Sequence, residues 1–140
     1  MVNGNDKKNL EIFEQELAKA LSKIHKNIMG RGPIYTEVRI VGNSVFTRFE
    51  TDLIGSEKML YGYLQENQYT YRYYDYLREQ VTPTINRMFV KMNKLLQVAG
   101  MEFRVDEHYT FMLITLNNDL RQLVEIGAVQ TPPKIEDTAT

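Results

Sequence analysis

Two short stretches carry residues whose type and spacing could do chemistry. The first is Gly30-Arg31-Gly32-Pro33. Glycines on either side of an arginine can turn backbone amides toward an anion, with the guanidinium as charge partner. The loop does not follow a strand and open a helix, as a dinucleotide- or phosphate-binding loop must. Its structural alternative is a helix stop followed by a sharp turn. The second stretch is a tyrosine run, Tyr69, Tyr71, Tyr73, Tyr74 and Tyr76; seven of the chain's nine Tyr fall between Tyr61 and Tyr76. Such rings could stack on bases or fill a subunit interface, where a large ring with a polar tip is favoured. The formal net charge is −1, from 17 Lys+Arg against 18 Asp+Glu, so no basic field holds a nucleic acid. The interface reading is preferred, and nucleic acid is not expected as a partner.

Catalytic and metal chemistry find little footing. There are no Cys and only two His, which removes thiol chemistry, disulfides and zinc sites. His25 falls on a helix and His108 at a hairpin tip, neither with a Ser or Cys nucleophile at a recognisable spacing. Asp106, Glu107 and His108 are adjacent on a tight turn, where three side chains rarely converge on an ion. Glu11, Glu14 and Glu16 read as the solvated acidic start of a helix, a position the helix dipole favours. We therefore expect no enzyme, no cofactor and no metal.

These residues must be positioned by elements that the hydrophobic pattern makes visible. Asn5 or Asp6 can cap a first helix, with Leu10, Phe13, Leu17, Leu21, Ile24 and Ile28 on one face and Gly30 ending it. Two strands follow, Ile34 to Val41 and Ser44 to Thr51, joined by the two-residue turn Gly42-Asn43. That turn fixes a register in which Val41 faces Ser44, Ile40 faces Val45, Arg39 faces Phe46 and Glu37 faces Arg48. One face then collects Ile34, Val38, Ile40, Val45 and Phe49. Ser56 can cap a short helix to about Leu64. From Asn67 a long helical pattern holds its phase through Tyr73, Leu77, Val81, Ile85, Met88, Met92 and Leu95 until Gly100. Pro83 either kinks it or divides it in two, and the unbroken phase favours the kink. A second hairpin follows, Met101 to Val105 and Tyr109 to Leu116, then a short helix capped by Asn118 or Asp119. The last strand barely alternates, which suits a strand covered on both faces.

The predicted fold class is α+β: two helix–hairpin units forming a four-stranded antiparallel sheet with helices on one face, including one long kinked helix. Residues 1–129 make a single domain and 130–140 a disordered tail. As one straight helix, the stretch from Asn67 to Val98 would be roughly 45 Å long, against a radius of gyration of about 14 Å for a domain of this size. The outer sheet face would also display Tyr35, Val41, Phe46, Tyr109, Phe111 and Leu113, an apolar patch of the kind that is normally covered. Together these predict a homodimer or larger oligomer using Phe46, Phe111, Leu113 and the tyrosines. No signal peptide or membrane-spanning run is present, so a cytoplasmic protein is expected, linked to any membrane through a partner and not by insertion.

One resemblance adds to this reading. Ile28-Met29-Gly30-Arg31-Gly32-Pro33, a Val/Ile-rich hairpin, and then Asp52-Leu53-Ile54-Gly55-Ser56-Glu57-Lys58 resemble the MpsC-like family, a small bacterial domain. That family shows a helix ending in Gly-Arg-Gly-Pro, a strand pair, a Leu-Thr-x-x-Glu-like segment, a long helix with Arg and a central Pro, and a closing strand pair. Arg78, Pro83 and Arg87 fall where the helix would carry its Arg and Pro. The resemblance spans roughly residues 8–118. The chain departs from it in a shorter second hairpin and a tyrosine-rich middle helix. It implies a non-enzymatic accessory or protein-interaction subunit of a sodium-translocating, membrane-potential-generating system linked to inorganic-carbon uptake, with a membrane transport subunit as partner. It carries over no catalytic residue. The alternative is a regulatory domain binding a small anion near Gly30, Arg31, Gly32 and Pro33.

Overall fold

A computed structural model of the chain describes residues 4–52, 55–66 and 70–136. In chain order the elements are α1 (Gly4–Met29), β1 (Tyr35–Val41), β2 (Ser44–Glu50), α2 (Gly55–Glu66), α3 (Thr70–Met92), β3 (Val98–Val105), β4 (Tyr109–Leu116) and α4 (Leu120–Glu125). The strands form one sheet of order β1-β2-β4-β3, antiparallel throughout. The fold is therefore the expected α+β arrangement, built from α1–β1–β2 and α3–β3–β4. The two hairpins meet through their second strands, which puts β4 in the centre. The helices cover only one of its faces and Phe111 on the other is 39% exposed, so the expected cover on both faces is not found among the described residues of the chain.

The first hairpin has the register set by its turn: Val41 pairs with Ser44, Ile40 with Val45, Arg39 with Phe46 and Glu37 with Arg48. Gly42 takes φ +60, the left-handed conformation that a primed two-residue turn demands. At the second tip, the Asp106 carboxylate accepts from the backbone N–H of His108 (2.8 Å) and Tyr109 (2.7 Å). Asp119 caps α4 by accepting from the Gln122 N–H.

All packing of helices is on one face of the sheet. Val38, Ile40, Val45, Phe49, Met101, Phe103, Met112, Ile114 and Leu116 point there and are buried. From above they meet Leu17, Leu21 and Ile24 of α1, Ile85, Met88, Phe89 and Met92 of α3, and Leu120 of α4. α1 lies along β1, and α3 along β3.

Several expectations change. Helix α1 begins at Gly4, so Asn5 and Asp6 lie within its first turn and do not precede it. Helix α3 runs unbroken through Pro83 but ends at Met92, not at Gly100. Asn93 stops it: its side-chain oxygen accepts from Leu95 N–H, and its amide donates to Ala128 O. The apolar phase runs past the stop to Leu95, which lies in the turn after the helix and is 68% exposed; its neighbour Leu96 is the one that is fully buried. Gly100 instead sits within β3, at an irregularity opposite Thr115. With 23 residues α3 spans ~35 Å, and α1, with 26, is the longer helix. The argument that one helix overruns its domain therefore loses its force. Ile34 lies outside β1 and is 62% exposed, beyond the helical cover. Residues 131–136 have no helix or strand, yet Gln130 N donates to Met92 O, Ile135 packs against the core, and Asn27 donates to Glu136 O.

Candidate functional site

The Gly30–Pro33 loop joins three parts of the molecule. Gly30 takes φ +80 and donates to Lys26 O at 2.8 Å, closing α1 with a left-handed cap. Arg31 then reaches across, its Nη2 donating to Asp52 O at 2.6 Å, at the exit from β2. Asp52 lies 3.6 Å from His108 Nδ1, and Thr51 N donates to His108 O, so the second hairpin's tip is tied in as well. His25 stands behind the loop, its Nδ1 3.2 Å from Arg31 O and its ring 4.8 Å from that of Phe49.

Beneath the loop lies a cavity of about 120 Å³, whose walls include His25, Arg31, Thr51, Tyr61 and Tyr73. It adjoins a narrower apolar slot of about 40 Å³ between α1 and α3, floored by Phe49 and Met112. Helix α2 supplies Leu60, Tyr61 and Leu64 to the outer wall. The Tyr61 phenol is pushed above its usual value, first by burial and then by Tyr74, Asp106 and Glu107; the Gln65 amide donating to its oxygen opposes the shift. Met59, Leu60 and Tyr63 of α2 are exposed, as are Ile28 and Met29 at the end of α1, and Leu60 and Met29 line the same cavity.

The tyrosines do not form a single surface. Tyr69 lies outside the described residues, as does the side chain of Tyr71. Tyr73 and Tyr74 pack against the protein's own core, and the Tyr74 hydroxyl accepts from Val105 N at 3.0 Å. Tyr76 is exposed. The outer sheet face is a separate region. There Phe46 and Phe111 are 49% and 39% exposed, and Leu113, opposite Phe46, is half-buried. Glu37 pairs with both Arg39 (2.9 Å) and Arg48 (2.7 Å), and Arg48 lies over the Tyr109 ring.

Three side chains gain a role that the sequence reading did not give them. Glu14 is buried, not solvated, and accepts from Ile40 N at 2.7 Å. Asn86 accepts from Val98 N at 2.7 Å, and Tyr74 from Val105 N. All three sit on helices and occupy amides of the two edge strands, β1 and β3. Glu14 had one legible signal: it continues the inward stripe Leu10, Leu17, Leu21 at steps of four, three and four.

Among the described residues no three His, Asp or Glu side chains group as metal ligands, and no helix is long and apolar enough to cross a membrane. The sequence profile of the family described as "Na+-translocating membrane potential-generating system (MpsC)" matches residues 9–109. That range takes in everything from α1 to the tip of the second hairpin, including Gly30–Pro33. No curated protein and no solved structure matches the chain.

Proposed function

The chain belongs to the MpsC family, and from that membership we propose that it is a non-enzymatic, cytoplasmic accessory subunit of a Na+-translocating, membrane-potential-generating system that serves inorganic-carbon uptake. The family match over residues 9–109 is the observation that carries this reading. Two surface features support it. Helix α2 displays Met59 and Leu60, 78% and 56% exposed, and Leu60 lines one cavity with Met29 of α1. Exposed apolar side chains of this kind suit docking to a membrane-embedded partner. The outer sheet face offers Phe46, Phe111 and Leu113 for self-association into a homodimer. Both histidines are engaged by neighbours, His25 with Phe49 and Arg31, and His108 with Asp52, which suits a structural role better than proton transfer.

The anion reading of Gly30, Arg31, Gly32 and Pro33 receives less support. Arg31 already donates to Asp52 O and thereby closes the loop. Arg31→Ala is expected to lower stability without removing a phosphate- or bicarbonate-induced thermal shift.

The test is co-expression with the large membrane subunit of the same system, followed by affinity purification in mild detergent. The tagged chain should retain that subunit, and Met59→Glu/Leu60→Glu should release it while the circular-dichroism spectrum is kept. Failure of the wild-type chain to retain it, with an unchanged Na+-dependent membrane potential after deletion of the chain, overturns the proposal.

A further inference from the structure

We propose that the outer sheet face is built to receive a second copy of itself about a two-fold axis lying between the two sheets, so that corner charges of alternating sign meet their opposites. The proposal rests on the self-association put forward above and supplies its geometry.

Most other sheet surfaces are already occupied. The helices cover one face. On the β1 edge the Ile40 amide is taken by Glu14, and on the β3 edge the Val98 and Val105 amides are taken by Asn86 and Tyr74. Side chains set against an edge discourage strand addition. The outer face remains, with an apolar middle.

Its charges are ordered by the register. One row across the sheet reads Arg39, Phe46, Leu113, Glu102, and the next reads Glu37, Arg48, Phe111, Arg104. The corners of this block therefore alternate in sign, positive and negative on β1, negative and positive on β3. Arg39, Glu102 and Arg104 are exposed. Rotation by 180° about an axis parallel to the strands lays β1 of one copy over β3 of the other and keeps each row in place. Arg39 then meets the partner's Glu102, and Glu37 meets the partner's Arg104. Phe46 meets the partner's Leu113, and Arg48 lies against the ring of the partner's Phe111, a cation–π arrangement. Each corner charge finds its opposite and the apolar side chains find each other, as an isologous interface requires. Aligned sheets pack face to face in this way about 10 Å apart.

A two-fold axis across the strands would instead oppose Arg39 to the partner's Glu37 and Glu102 to the partner's Arg104. That axis matches opposite charges as well. Either one engages Glu37, which already holds Arg39 and Arg48 within its own chain, and Glu102, which lies 3.5 Å from Arg78 of its own chain. Both axes therefore give a charge-matched dimer, and exchanging two corner charges tells them apart. From strand spacing and rise, the face measures about 19 by 23 Å, or about 450 Å² per copy. That lies at the low end for a specific complex and implies a reversible dimer, micromolar or weaker.

The experiment is sedimentation velocity over a concentration series, with circular dichroism on each variant. Wild type should dimerise reversibly. Arg39→Glu and Glu102→Arg should each weaken the dimer roughly tenfold, since each places like charges together twice. With the axis along the strands, the double variant Arg39→Glu/Glu102→Arg returns to near wild-type affinity. Within one chain these residues stand about 14 Å apart, three strand spacings, so restoration reports contact between copies. With the axis across the strands, the double variant stays at least as weak as either single one. If wild type dimerises and Phe46→Asp dissociates it, but neither charge variant matters, self-association stands and this geometry falls. A wild type that stays monomeric throughout the series overturns both.

Discussion

Glu14 shows how far a single side chain can depart from its local pattern. Its position in the first turns of α1 suits a solvated carboxylate, yet it is buried and accepts from Ile40 N at 2.7 Å. A charged acceptor on a backbone donor is stronger than a neutral one. Removing it leaves a buried N–H with no partner, which costs about 1–3 kcal/mol. Glu14→Ala should therefore lower unfolding free energy by about that amount in urea melts, while Glu14→Gln, which keeps an acceptor oxygen, should lose less. Loss of no stability in the alanine variant would mean that water replaces the carboxylate. Tyr61 gives a pH prediction at the same scale. Burial and the neighbouring Tyr74, Asp106 and Glu107 raise its folded value above the usual value of about 10. The folded state thus holds this proton more tightly than the unfolded chain. The associated stability is whole below the unfolded value and is lost as pH rises through the folded one. Ultraviolet titration of tyrosinate should show a late-ionising component that Tyr61→Phe removes.

Elements set the next scale, and α3 is the informative one. Pro83 lies inside it and lacks the N–H that would bond to the carbonyl four residues earlier. The helix persists because Val81 and Ile85 on either side are buried against the sheet, and packing outweighs the lost bond. Pro83→Ala should restore the bond and stabilise the protein by ~1 kcal/mol or more, read as a higher melting temperature; destabilisation would show that the proline ring itself is needed for packing. The same helix shows what was legible in the sequence and what was not. Its phase was readable because apolar residues recur at a helical period, and the first hairpin's register was readable because a two-residue turn leaves one pairing. The end of α3 was not readable. Leu95 keeps the apolar phase in sequence yet lies exposed in the turn past the stop, and Asn93, which stops the helix, acts through Ala128, 35 residues away. Gly100 looked like a helix stop for the same reason, although it occupies a strand irregularity. At the loop, the sequence marked Gly30–Pro33 but could not show that Arg31 would be spent on Asp52 O. Tertiary partners decide such positions, and local composition does not encode them.

At the scale of the whole molecule, the two helix–hairpin units are arranged so that each protects its own outer edge. Helix α1 guards β1 through Glu14, and α3 guards β3 through Asn86 and Tyr74. The sheet therefore cannot readily grow sideways, and association is directed to its open face. The formal net charge of −1 sets up little long-range repulsion between copies. What remains is a short-range balance between an apolar centre of Phe46, Phe111 and Leu113 and corners of alternating charge. Salt separates these contributions. The Debye length falls from ~8 Å at 0.15 M to ~3 Å at 1 M, which screens exposed corner charges and leaves apolar contact intact. Raising NaCl over that range should weaken the dimer by a few-fold without abolishing it. Phe46→Asp, which buries a carboxylate at the centre, should abolish it at every salt concentration. Sedimentation velocity at both salt concentrations reads the two effects together. A dimer that tightens with salt would show that the corners contribute nothing and that the interface is held by apolar contact alone.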